Sequence, residues 1–142
     1  MIAIAIVAIV GAIAYPSYLK SIAEGRRTEA VSALNQMQQG QERWRANNPL
    51  YVPSGSETTL VPSTTTGPGG YYTLSIVASD DSGYIMTATA VAGTSQANDT
   101  NCSKMLIAMV KGSISYGGCA AASCTVPALG TALTDPNKCW KR

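Results

Sequence analysis

Four cysteines, Cys102, Cys119, Cys124 and Cys139, are the residues of this 142-residue chain best suited to chemistry, and all lie in its last third. None forms a Cys-x-x-Cys pair, and the chain has no histidine to complete a zinc site. An even number of cysteines in a Ser-, Thr- and Gly-rich region reads as two disulfides, which imply an oxidising compartment. Four cysteines allow three connectivities. The favoured one joins Cys102 to Cys139, closing the C-terminal region, and Cys119 to Cys124 around the short loop CAAASC. Missing histidine also removes the commonest general base. Asp80, Asp81, Asp99 and Asp135 form no calcium-loop pattern. The sequence therefore predicts no catalytic constellation, no metal site and no cofactor.

Ten basic and eight acidic residues give a formal charge of +2. The basic residues are spread along the chain, so composition alone does not point to nucleic acid. Lys104, Lys111, Lys138, Lys141 and Arg142 nevertheless gather late in the sequence. Such a stripe would bind phosphates in a salt-dependent way; the alternative is a scatter of solubilising lysines.

Residues 1–15 are apolar on every side of a helix and cannot form an ordinary surface helix. The run is short for a membrane span, which needs about 20 apolar residues. After Pro16, apolar residues recur at Leu19, Ile22, Ala23, Ala30, Ala33, Leu34, Met37 and Trp44, in steps that mark a narrow helical stripe. Lys20, Glu24, Arg27, Gln38, Glu42 and Arg45 occupy the opposite face. The Asn47–Asn48–Pro49 triplet is a stop signal. Residues 1–47 are thus predicted to form one helix, roughly 70 Å long at 1.5 Å per residue, more than a small domain can bury. Pro16 removes one backbone donor and crowds the carbonyl four residues back. With Gly11 it makes Gly11–Pro16 the weakest stretch of the helix.

Residues 50–70 are rich in Pro and Gly and read as a loop. Residues 71–79 and 84–91, separated by the turn signal DDSG, read as a hairpin that places Leu74, Ile76, Met86 and Ala88 on one face. Residues 105–110 form a third strand, and 111–115 either continue it or turn into a fourth. From Tyr116 onward the chain reads as turns held by cysteines.

Three stretches together carry a family resemblance. AIVGAIAYPSYLKSI, RRTEAVSALNQMQQGQERWRANNPLY, and the hairpin segment running to the closing Cys139–Trp140 resemble the type IV pilins, in particular the type IVa, PilE-like group. The family's leader and its Phe-Thr-Leu-Ile-Glu start are not among these residues. By the resemblance, Met1 falls a few residues into a mature chain, with the family's buried glutamate upstream. The resemblance also makes Cys102 and Cys139 the common pilin disulfide and Cys119 and Cys124 an additional pair.

The resemblance implies an α+β pilin fold: a long N-terminal helix with its apolar half protruding and its amphipathic half packed on a three- or four-stranded antiparallel sheet. Residues 1–16 would serve membrane storage and the filament core, through Ile2, Ile4, Ile6, Val7, Ile9, Val10 and Ile13. The helix would melt locally around Gly11 and Pro16 on assembly. Residues 17–142 would be the head, divided into a helix (17–48), a loop (49–70), a sheet (71–115) and a disulfide-closed tail (116–142). Leu34, Met37, Trp44, Leu74, Ile76 and Met86 would form its core. Glu24, Arg26, Arg27 and Glu29 would be a solvated face or pair with neighbouring subunits.

The function implied is that of a non-enzymatic pilus subunit acting in adhesion, twitching motility and DNA uptake. Its partners would be itself, the inner membrane before assembly, the assembly machinery and a prepilin peptidase. Two alternatives are a minor pilin that receives DNA through the late basic residues and a secretion-system pseudopilin.

Overall fold

The apolar and amphipathic stretches form one uninterrupted helix, α1 (Ile2–Arg45), in the computed structural model. The structure describes residues 2–60, 66–67, 69–120 and 124–140, with backbone alone for residues 2–9. Helical geometry passes through Pro16 without a break. The end of α1 is held from two sides. Asn48 Nδ2 donates to the Trp44 carbonyl at 2.9 Å, and Arg45 donates to the Asn48 carbonyl at 2.8 Å.

Four antiparallel strands follow in the spatial order β1-β2-β3-β4: β1 (Tyr72–Ser79), β2 (Gly83–Ala90), β3 (Lys104–Val110) and β4 (Ser113–Cys119). Each strand pairs antiparallel with the next in sequence, so the topology is a simple meander. Lys111 (φ 49°) and Gly112 (φ 81°) turn β3 into β4 with both residues left-handed, as the type I′ two-residue hairpin loop requires.

The fourth strand corrects the sequence reading, since Tyr116–Cys119 belong to β4 and not to a turn-like tail. Gly117 and Gly118 hid it. A Cβ on Gly118 would collide with Cys139, and one on Gly117 would come within 3.1 Å of Leu133 Cβ. The strand carries glycine there because the C-terminal segment packs directly on its backbone.

The sheet is buried on both faces near its centre. On one face, Leu74, Ile76, Met86 and Ala88 pack with Ala30, Ala33, Leu34 and Met37 of α1, joined by Tyr72, Tyr84, Met105 and Ile107. On the other, Ile85, Leu106 and Ala108 lie under Val126, Leu129 and Leu133 of the C-terminal region. Burying such apolar surface, at about 25 cal/mol per Å², is the main force holding the head together.

Trp44 is not part of this core. It is 37 % exposed, and Gln41 takes the inward position of the last turns instead. A 3.6-residue period from Ala30, Ala33 and Met37 passes close to both 41 and 44, so periodicity alone does not choose between them. The Gln41 amide is fully buried and satisfied: it accepts from Val52 N at 2.8 Å and donates to Val52 O at 3.2 Å. The stripe thus ends by gripping the loop after the helix. Glu42 and Arg27, assigned by the same periodicity to the polar face, also turn toward the head. Tyr84 Oη donates to Glu42 at 3.0 Å, and Arg27 meets Asp99.

The segment after α1 is not wholly irregular. It contains a 3-10 turn (Glu57–Thr59) and a bridge from Thr66 to Thr73. Glu57 Oε1 accepts from Ile76 N at 2.9 Å and from Gly55 N at 3.1 Å, which holds its carboxyl below the usual range despite partial burial.

Candidate nucleic-acid interface and exposed helix

The C-terminal segment is fastened to the sheet at several points. Cys102, just before β3, is bonded to Cys139, and both are buried. Asp135 accepts from Cys139 N and Trp140 N, each at 2.9 Å. Asn137 Nδ2 donates to the Asn101 carbonyl at 2.9 Å, and Trp140 Nε1 to the Gly117 carbonyl at 2.7 Å. The Trp140 ring sits 4.7 Å from that of Tyr116. Cys119, at the end of β4, is bonded to the half-buried Cys124. Between the sheet and this strap runs a groove of about 520 Å³ whose lining includes Leu106, Thr125, Thr131, Leu133 and Asn137.

The late basic residues do not form one cluster. Lys104 pairs across the sheet with Cys119, whereas Lys111 stands in the turn at the other end of β3. At about 3.3 Å per residue, that strand separates them by roughly 23 Å. Lys138 is exposed beside Cys139 and joins Lys104 at the disulfide end. Lys141 and Arg142 lie outside the described residues.

The charge is nevertheless one-sided along the chain. Residues 104–142 hold five basic residues and one acid, Asp135, a balance of +4; the other 103 hold five basic and seven acidic, a balance of −2. Both carboxylate oxygens of Asp135 are engaged by backbone N–H groups. Among the described residues this segment thus holds Lys104, Lys111 and Lys138 beside the engaged Asp135, and the Lys111 amide donates to the Ser82 carbonyl in the turn that carries Asp80 and Asp81.

On the helix side, Arg27 and Asp99 form a network that the sequence does not announce, because 72 positions separate them. Arg27 donates from Nε and Nη2 to the two Asp99 oxygens at 2.7 and 2.8 Å. Asp99 also accepts from Cys102 N at 3.2 Å and from Gln96 Nε2 at 3.1 Å; Gln96 Nε2 lies 2.7 Å from Tyr72 Oη. Arg26 lies 4.0 Å over the Tyr71 ring and donates to Ser95. Within the chain, Arg26 and Arg27 are thus tied to the head rather than standing free on a solvated face. Burial pushes the Tyr72 hydroxyl up to about 12, with the Asp99 charge acting in the same direction.

Below the head, α1 presents apolar and aromatic side chains to solvent: Val10, Ile13, Tyr15, Tyr18 and Leu19 are all exposed. Ile2, Ile4, Ile6, Val7 and Ile9 lie on the same helix, but their side chains fall outside the described residues. A Cβ at Gly11 would meet nothing within 4 Å, and residues 10–16 are all exposed, so among the described residues none packs on the helix around Gly11–Pro16. Among the described residues, no helix is long and apolar enough to cross a membrane, and no group of three or more Cys, Asp or Glu could hold a metal ion.

A family model described as type IV minor pilin ComP, DNA uptake sequence receptor, matches residues 16–106. The match begins at the proline within α1 and ends inside β3. It leaves β4, both cysteines of the short loop and most of the late lysines beyond its reach. No curated protein matches the chain.

Proposed function

The chain belongs to the ComP family of type IV minor pilins, and from that premise we propose that this pilus subunit receives DNA on the β3–β4 side of its head. It is a subunit of a type IV pilus at the cell surface. Its exposed apolar helix would be buried against neighbouring helices in the filament, and would hold the subunit in the inner membrane before assembly. Processing by a prepilin peptidase and extension by an assembly machine fit this scheme. No step of it asks the chain to catalyse a reaction.

The observation that carries the DNA reading is the +4 balance confined to residues 104–142. Phosphate neutralisation by lysines releases counterions, so affinity falls steeply with salt. Lys111 and Lys138, at opposite ends of this side, fit contacts to separate phosphates along one duplex. The test is a gel shift of labelled duplex with the chain in a nonionic detergent, over a salt series. Lys111→Gln and Lys138→Gln should each weaken binding equally for all sequences and lower the salt slope by about 1. No shift at low salt would reduce the subunit to its structural role in adhesion and motility.

A further inference from the structure

We propose that the groove at the foot of the head, between α1 and the loop before β3, binds the headgroup of an anionic phospholipid while the subunit waits in the membrane. The inference rests on the membrane stage proposed above but concerns a separate site. The groove encloses about 480 Å³ and is lined by Lys20 and Arg26 of α1 and by Ser95, Asn98 and Asn101 of the facing loop. Arg27 and Asp99 also border it, but they neutralise each other. Lys20 and Arg26 therefore give the groove a net positive charge. Glu24 lines the adjoining pocket, which shares Arg27 with this groove, so the three cations Lys20, Arg26 and Arg27 stand against the two carboxylates Asp99 and Glu24 and the surroundings keep one positive charge.

Position along the helix identifies the ligand. Tyr15 and Tyr18, each 65 % exposed, follow the apolar run, where amphipathic rings settle at a membrane–water interface. Lys20 lies five residues beyond Tyr15, about 7.5 Å along the axis at 1.5 Å per residue. That distance matches one headgroup layer, about 5 to 8 Å. Leu19 and Ile22, at the lower rim, continue the apolar surface up to the groove. A lipid phosphate would meet Lys20, and a polyol headgroup such as glycerol would reach the Ser95 hydroxyl and the Asn98 amide. Arg26, oriented by Tyr71 and Ser95, completes the charge from above. A zwitterionic choline headgroup would bring its own cation against these two and be disfavoured.

The experiment uses the full chain reconstituted in nanodiscs of phosphatidylcholine alone or with phosphatidylglycerol, and native mass spectrometry of the lipids retained on release. Phosphatidylglycerol should be enriched over its bulk fraction, and Lys20→Gln should lower the enrichment about fivefold, the effect of one basic residue at an anionic surface. Lys20→Gln with Arg26→Gln should abolish it, while Lys111→Gln, on the far side of the head, should leave it intact. Arg26→Gln also removes a ring contact, so circular dichroism of the double variant must match the parent, with Lys20→Gln alone as the independent check. Insertion into both nanodiscs with no preference for phosphatidylglycerol would overturn the headgroup site and leave the membrane stage standing. Failure to insert at all would overturn both. Enrichment untouched by Lys20→Gln would overturn the assignment of this groove.

Discussion

Arg27 on α1 and Asp99 on the loop before β3 meet through two parallel hydrogen bonds, with 12 % and 4 % of their side chains exposed. The pair fixes the approach to Cys102, because Asp99 also accepts from the Cys102 amide. Burial works against the Arg27 charge, yet the Asp99 carboxylate outweighs it and holds the guanidinium above its ordinary pKa. Removing one member of such a pair strands the other without compensation. Asp99→Asn should therefore destabilise the head by about 3 kcal/mol. Arg27→Lys should recover only part of the parent stability, because an ammonium cannot match the two-point geometry. Urea melts would read both, and unchanged midpoints would show that the pair is dispensable.

The two ends of the helical stripe make an internal contrast. Leu34 is fully buried against the sheet, whereas Trp44 is 37 % exposed. Leu34→Ala should cost about 2 to 5 kcal/mol, and Leu34→Asp should prevent the head from folding. Trp44→Ala should shift the melting midpoint far less. Equal losses at the two positions would mean that the helix is rotated relative to the arrangement described.

Much of this arrangement was legible in the sequence. The spacing of Ala30, Ala33, Leu34 and Met37 and the alternation through Leu74 and Ile76 are periodic signals, and local periodicity reveals helices and strands. It failed at Trp44, because hydrophobicity favoured the tryptophan and nothing local revealed that Gln41 would satisfy both its polar ends on Val52. It failed again at Gly117–Gly118, where the sequence is explained by the Cys139 and Leu133 atoms lying against it. The late lysines look like a cluster only along the chain, since a seven-residue strand divides Lys104 from Lys111. The Arg27–Asp99 pair had no local signal at all.

Tyr72 gives an alkaline signature. Burial, with the Asp99 charge acting in the same direction, raises its hydroxyl from 10.0 to about 12. A group raised in the folded state contributes stability that is complete below its unfolded pKa and lost as pH climbs through the folded value. Tyr72 should thus cost the head on the order of 2 kcal/mol between pH 10 and 12. Tyr84, raised beyond that range by its burial and by Glu42, adds to the same slope. Tyr72→Phe should flatten the fall, measured as urea midpoints at pH 9, 10 and 11. An equally steep fall would place the lost stability elsewhere.

Pro16 offers the last test, at the junction of the protruding helix and the head. α1 continues through it in the isolated chain, although Pro16 leaves the Ala12 carbonyl without its usual donor. Proline in a helix interior costs about 3 kcal/mol, and Gly11 adds roughly 1 kcal/mol relative to alanine. No head contact offsets either cost, since Val10, Ile13 and Tyr15 all face solvent. We therefore expect the segment Gly11–Pro16 to be the first part of α1 to open when filament packing offers its side chains new partners. In micelles, the amides of Ala14 and Tyr15 should exchange faster than those of Ala23 and Glu24, and Pro16→Ala should slow them. In filaments, a density map of the parent should show α1 broken between Gly11 and Pro16, with helix restored in the Pro16→Ala variant. Continuous helical density through Pro16 in the parent filament would mean that the proline only bends α1, and that the head is joined rigidly to the filament core.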